Sequence, residues 1–201
     1  MVNGTTNIFW KRYWKNKDFI MNRSIKFKLK NGKEVIIRPL KDTDYEAVKK
    51  YYTEFNKGPS AKMVFEYPGA PITPKEQMVQ RWSNKNNLYL AVFDGNKVAA
   101  IAQICKIMPD HPYSGRNAIT GTTMLEKYTS NGLGTKLKMI VEKWARENNV
   151  HKLQSETFHK NTRSIGNLLK QGYEIVGVLH DVAFIDGEWY HQYNLEKILE
   201  K

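Results

Sequence analysis

Two glycines, two positions apart at the head of an amphipathic stretch, carry the clearest chemical signal in the chain. The segment Tyr128-Thr129-Ser130-Asn131-Gly132-Leu133-Gly134-Thr135 leads into a run where Leu137, Ile140, Val141 and Trp144 recur at helical spacing. Glycines let the backbone turn sharply and come close to a ligand. The unpaired amides of a helix start point to the same spot, and the helix dipole favours an anion there. A phosphate or pyrophosphate suits this arrangement. A P-loop does not fit, because Gly134-Thr135-Lys136 lacks the Gly-Lys-Ser/Thr that must follow a four-residue gap. A dinucleotide fingerprint fails as well. Leu137 stands where its third glycine belongs, and the turn follows several strands instead of opening the first strand-helix unit.

Other chemistries are weaker. His111, His151, His159, His180 and His191 show no metal-ligand spacing and have no cysteine partners, so no metal is expected. Cys105 lies mid-strand and reads as a small buried hydrophobe. Ser114-Gly115 lacks the Gly-x-Ser-x-Gly of a nucleophile elbow. Glu156 shares a strand face with Gln154 and Phe158, and alternation alone does not say whether that face meets a cleft.

The elements that must hold these residues are legible in outline. Residues 25–29 and 35–37 flank Asn31-Gly32 as a hairpin, and Pro39 ends the second strand. Asp42 or Thr43 caps a helix to about Phe55, with Tyr45, Val48 and Tyr52 on one face. Gly58-Pro59, Pro68-Gly69, Pro71 and Pro74 mark 56–74 as a loop with one short turn near 62–65. Thr73 caps and Pro74 opens a helix to about Trp82. Strands over 88–93 and 97–107 flank Asp94-Gly95-Asn96, and 118–125 is a further strand. The helix after the glycine turn runs to about Asn148, 151–158 is a strand, and Asn161 caps a helix that Gly172 ends. Strands over 173–180 and 189–195 close around Asp186-Gly187. This order predicts one α/β domain, a mixed, mostly antiparallel sheet flanked by helices.

The 201 residues carry a formal charge of +12, with one cysteine and 12% aromatics. Disorder and a disulfide framework are thereby excluded. The charge is uneven: residues 1–38 hold ten Lys/Arg and two acids. Residues 1–24 read as a basic aromatic extension, with Trp10, Tyr13 and Trp14 on one helical face, ahead of a domain over 25–201. Met21 is a second candidate start. No secretory signal or membrane-spanning run is visible, so a cytoplasmic protein is expected.

The glycine segment resembles the signature of the GNAT superfamily of acyl-CoA-dependent N-acetyltransferases, Gln/Arg-x-x-Gly-x-Gly/Ala, with Thr129 in place of Gln/Arg. Asn161-Thr162-Arg163-Ser164, continuing to Lys170-Gln171-Gly172-Tyr173, is similar to that family's second motif, in the form found among ribosomal-protein N-terminal acetyltransferases. The likeness runs over about 25–196. It implies acetyl-CoA as cosubstrate, an amine acceptor (small molecule or protein N-terminus), direct attack in a ternary complex, and no metal. It implies that backbone groups of Thr123, Met124, Leu125 and Glu126 hold the pantetheine and acetyl oxygen. The turn Thr129, Ser130, Asn131, Gly132, Leu133, Gly134 and Thr135 would hold the pyrophosphate, and Asn161 and Ser164 the pantetheine. Glu156 matches a glutamate proposed as general base. Leu168 stands where such relatives carry a tyrosine acid, which leaves Tyr128, Tyr190 and Tyr193 as alternatives. Lys136, Lys138 and Arg163 are expected to face phosphates, and Phe65, Glu66 and Tyr67 the acceptor. A homodimer is compatible with this reading. The departures Thr129 and Leu168 leave a second expectation open: a non-catalytic CoA- or nucleic-acid-binding module, its basic N-terminus on nucleic acid or an anionic surface.

Overall fold

Each tight hairpin forms where the sequence supplies residues able to take positive φ. Gly32, at 89°, joins β1 (Ile25–Lys28) to β2 (Glu34–Pro39). Gly95, at 57°, joins β3 (Asn87–Asp94) to β4 (Lys97–Ile107). Asp186 and Gly187, at 52° and 84°, join β7 (Glu174–Ile185) to β8 (Glu188–Ile198), the paired positive φ of a type I′ turn. These coordinates come from a computed structural model, which describes residues 24–64 and 66–199. All of the expected N-terminal extension except Ser24 lies outside the described residues, as does Phe65.

Eight strands form one sheet in the order β1-β2-β3-β4-β5-β6-β8-β7, with β5 (Asn117–Met124) and β6 (Lys152–Phe158) at its middle. Every neighbouring pair is antiparallel except β5–β6. Along β4, Val98, Ala99, Ala100, Ile101 and Ala102 are all buried, so both faces of the central sheet are covered. The cover is α1 (Tyr45–Phe55) and α2 (Lys75–Ser83), which pack on β4 and β3, and α3 (Leu133–Glu147), which packs on β3, β4 and β5. In α3 the buried residues Leu133, Leu137, Ile140, Val141 and Trp144 form one apolar stripe. A fourth helix, α4 (Thr162–Leu169), begins at Asn161, whose Oδ1 accepts from the Ser164 amide. This is the single α/β domain with a mostly antiparallel sheet that the sequence predicts. No helix among the described residues is long and apolar enough to cross a membrane.

Local details differ from the sequence expectations. The inward face of α1 is Val48, Tyr51 and Phe55, and Tyr52 is only half-buried. Pro74 sits at the N-cap of α2 without a side-chain cap from Thr73, because its extended ψ of 150° places it just outside the helix. Strand β7 runs to Ile185, five residues past the expected end, across an irregularity near Asp181, whose φ is 53°. Ahead of α1, Arg38 makes a two-pronged pair with the buried Asp44, at 2.6 and 2.8 Å. The Lys41 amide adds a third bond to that carboxylate. Burial pushes the Asp44 carboxyl up, but the Arg38 and Lys41 hydrogen bonds and charges outweigh it and hold it below the ordinary value.

Between β5 and β6 the sheet forks. The two strands pair only over Asn117–Ile119 and Lys152–Gln154, then part. Beyond the fork β5 stays paired to β4 as far as Met124, and β6 to β8 as far as Phe158. The Thr120 hydroxyl donates to the Gln154 carbonyl at 3.1 Å, replacing the next rung of the ladder with a side-chain bond.

Candidate active site

A cavity of about 520 Å³ occupies the fork. One wall is the unpaired side of β5 from Ile119 to Met124, where alternate residues turn N–H and C=O into the gap. Facing it are Ser155, Glu156 and Thr157 of β6. The glycine turn contributes Thr129, Ser130, Gly132, Gly134 and Thr135, and α4 with its cap contributes Asn161, Arg163, Ser164 and Asn167. Lys138 enters from α3, and Tyr52, Phe55, Ser60, Met63, Val64 and Glu66 border it from α1 and the following loop.

The glycine turn has the geometry of an anion cradle. Gly132 is the N-cap of α3 with φ of 80°, in the left-handed region. A β-carbon there would meet nothing closer than Phe27 Cζ at 3.9 Å, so conformation and not crowding demands glycine. Ser130 also has positive φ, at 61°. The first bond of the helix runs from the Lys136 amide to the Gly132 carbonyl at 3.1 Å. The amides of Leu133, Gly134 and Thr135 precede it and have no helical acceptor. A β-carbon on Gly134 would lie 3.3 Å from Asn167 Nδ2, and the Thr135 hydroxyl donates to Asn167 Oδ1 at 3.4 Å. The two sequence motifs are therefore in contact through Asn167.

Charges at the site fall into three groups. Arg163 pairs with Glu126 at 2.9 Å, and the Ser60 hydroxyl donates to the same carboxylate at 2.6 Å. The Ser60 bond, then Arg163, holds that carboxyl below its usual range. Lys138 has no ion pair among the described residues, and burial pushes its ammonium down to about 8. Its Nζ lies 5.9 Å from the centre of the Tyr173 ring. Glu66 is half-buried, and burial raises its carboxyl above the ordinary value.

Thirteen of the expected site residues line this cavity: Glu66, Thr123, Met124, Thr129, Ser130, Gly132, Gly134, Thr135, Lys138, Glu156, Asn161, Arg163 and Ser164. Leu125, Glu126, Asn131 and Leu133 do not. Leu125 is buried and its amide bonds the Ala99 carbonyl at 3.0 Å. Leu133 is the first core residue of α3. Asn131 Nδ2 donates back to the Thr129 carbonyl at 3.0 Å. The Glu126 carboxylate is turned to Ser60 and Arg163. Tyr128, Tyr190 and Tyr193 are likewise away from the cavity, and Leu168 is fully buried in the core. Lys136 does not line it, whereas Lys138 does, one helical turn beyond Gly134. Tyr67 is exposed outside it. Sequence reasoning missed Tyr52, Met63, Gln103 and Asn167. Asn167 lies within the second motif, and that was the one available signal.

These features fit a long anionic thioester cofactor such as acetyl-CoA. The cradle offers free amides where a β-carbon is disfavoured, and the fork offers an unpaired strand edge for an amide-bearing arm. Comparisons agree. Residues 48–173 match the family model described as the acetyltransferase (GNAT) family. That is more than half of the chain, and the chain belongs to the GNAT acetyltransferase family. A GNAT-family acetyltransferase from Streptococcus pneumoniae superposes with a TM-score of 0.74 at 19% identity, over 82% of this chain and 99% of that one. The ribosomal-protein-alanine N-acetyltransferase from Brucella melitensis gives 0.66 at 23% identity, over 81% and 99%. The Salmonella typhimurium protein yncA, solved with its cofactor acetyl-CoA, gives 0.68 at 14% identity, over 83% and 95%. At these identities the likeness is one of fold. No sequence among the curated proteins matches the chain.

Proposed function

We propose that the protein transfers an acetyl group from acetyl-CoA to an amine by direct attack in a ternary complex. One observation carries this reading: the amide cradle at Gly132 opens into a forked sheet whose cavity adjoins a second, smaller cavity, the two sharing Tyr52, Glu66, Ile101 and Gln103 in their linings. Two ligands in these cavities would lie side by side. The amides of 133–135, with Ser130, Gly132 and Thr129 around them, hold the pyrophosphate. Alternate backbone groups of β5 at Thr123 and Met124 bind the arm and polarise the acetyl oxygen. Asn161 and Ser164 border the arm, the Asn161 oxygen already serving as a helix cap. When bound, acetyl-CoA supplies the acetyl group as a thioester: an N–C bond forms as the C–S bond breaks, and one proton moves from nitrogen to sulfur while another is released.

An amine with a pKa near 10 must lose a proton before it can attack. Glu156 is the base in this reading. It lines the cavity, is exposed, and forms no ion pair among the described residues. Calorimetric titration with acetyl-CoA, followed by thiol release with a panel of amines, tests the proposal. Micromolar binding and amine-dependent turnover are expected. Glu156→Gln should lower kcat by about a hundredfold or more with acetyl-CoA affinity retained. Absence of acetyl-CoA binding at millimolar ligand refutes the reading.

A further inference from the structure

The smaller cavity beside the fork holds two opposite charges that the protein leaves apart. It measures about 230 Å³, the space of about eight waters. Glu66 lines both cavities, whereas Arg81, on α2, lines only the smaller one. Neither side chain has an ion-pair partner among the described residues. The Tyr52 hydroxyl lies within the field of both: Glu66 makes its ionisation harder and Arg81 makes it easier. Burial raises the Glu66 carboxyl, and the Asn56 amide that hydrogen-bonds it works against that rise. Glu66, from the loop after α1, Tyr52, from α1, and Arg81, from α2, thus line one small cavity.

A third observation points the same way. Asn56 lines the smaller cavity and is buried, and its Oδ1 has no hydrogen-bond donor. An orphaned buried acceptor beside an unpaired carboxylate calls for a group rich in N–H donors. Arg81, exposed at the rim of the cavity, offers a guanidinium that can grip a planar anion with two bonds.

We propose that this cavity binds the acceptor as a small zwitterion, an amino acid or a close analogue. Its ammonium sits at Glu66 and Asn56, and its carboxylate lies on Arg81. The orientation follows from the walls. Glu66 also borders the acetyl-CoA fork, so an amine held there is the end that meets the thioester. The reverse orientation puts carboxylate against carboxylate. A polyamine puts a second cation against Arg81, and the first residue of a peptide has an amide where an amino acid offers Arg81 a carboxylate. Met78 and Trp82 supply an apolar wall for a side chain.

This inference rests on the acetyl-transfer reading, and the test separates the two. Kinetics with saturating acetyl-CoA compare each amino acid with the amine that lacks only its carboxylate: L-methionine against 3-(methylthio)propylamine, and L-phenylalanine against phenethylamine. Spermidine and a short peptide with a free alanine N-terminus complete the panel. The expected result is a kcat/KM at least about tenfold higher for the carboxylated member of a pair. In Arg81→Gln that ratio falls toward one, through a raised KM for the amino acid, and Arg81→Lys restores part of it. Equal or better turnover of the decarboxylated amine, of spermidine or of the peptide overturns the inference, as does an Arg81→Gln that slows both members alike. Acetyl-CoA binding with no turnover of any amino acid also overturns it. Failure to bind acetyl-CoA at all is a separate result and strikes the transferase reading.

Discussion

Lys138 is the least comfortable charge in the protein, and replacing it gives the sharpest test of the site's electrostatics. Its ammonium lies against the cavity wall with no acidic partner among the described residues, and burial brings it down to about 8. Relative to an ordinary lysine near 10.4, that fall is worth about 3 kcal/mol of destabilisation at about 1.4 kcal/mol per pH unit. Water in the open cleft screens part of this, leaving about 2 kcal/mol. The sign follows from linkage. Below pH 8 the folded protein must carry a charge that it solvates poorly, so the full penalty applies. Between the folded value and the unfolded one the unfolded chain binds the extra proton, and native stability rises with pH. Lys138→Met removes the penalty at similar volume. At pH 7 it should raise stability by about 2 kcal/mol, or about 4–8 °C in melting temperature for a domain of this size. The advantage should shrink as pH approaches 10.5. Urea melts of both proteins at pH 7, 9 and 10.5 measure this difference. A variant no more stable than the parent at pH 7, or an advantage that does not change with pH, refutes the reasoning.

Three further outcomes are expected. Gly132→Asp should cost about 1–2 kcal/mol in urea melts, because aspartate must take the left-handed φ of 80°, while its carboxylate expels an anion from the cradle; calorimetry on the folded variant should show acetyl-CoA affinity down at least about a hundredfold. Asp44→Asn should cost about 2–3 kcal/mol in urea melts at pH 7 by leaving the Arg38 guanidinium without its carboxylate. The parent should lose the same increment as pH falls below about 4 and through the lower folded-state value, because a carboxyl held down in the folded state stabilises only above it. Leu137→Ala, at a fully buried position of α3, should cost about 2–5 kcal/mol in the same melts without a selective loss of acetyl-CoA affinity in the folded protein.

What was legible in the sequence was local. Asn31-Gly32, Asp94-Gly95 and Asp186-Gly187 each place a residue that tolerates positive φ between two apolar runs, and all three are hairpins. Gly132 reads as a helix entry because the apolar spacing from Leu137 onward is helical, and its φ of 80° agrees. A helical stripe drawn through Tyr45, Val48 and Tyr52 puts Tyr52 on an inward face. The packed stripe is one residue round, through Val48, Tyr51 and Phe55, and the Tyr51 hydroxyl is held by Thr123 at 2.9 Å. Backbone use was not legible either: Leu125 looks like its neighbours, yet its amide is committed to Ala99. The smaller cavity was invisible except at Glu66. Asn56, Glu66 and Arg81 come from a helix end, a loop and a second helix, and no spacing rule links such positions. Their proximity is a property of packing.

The fork has a consequence for how the molecule comes apart. The sheet consists of two sequence-contiguous panels, β1 to β5 and β6 to β8, and its hydrogen-bonded seam is three residue pairs long. Within each panel most strand partners follow closely along the chain, so each can zip up locally before the seam is sewn. The reactive cleft is also the fabric's weakest line. An arm laid along the open edge of β5 would add rungs there, making a consumed cosubstrate a temporary thread between two panels that the chain alone only tacks together.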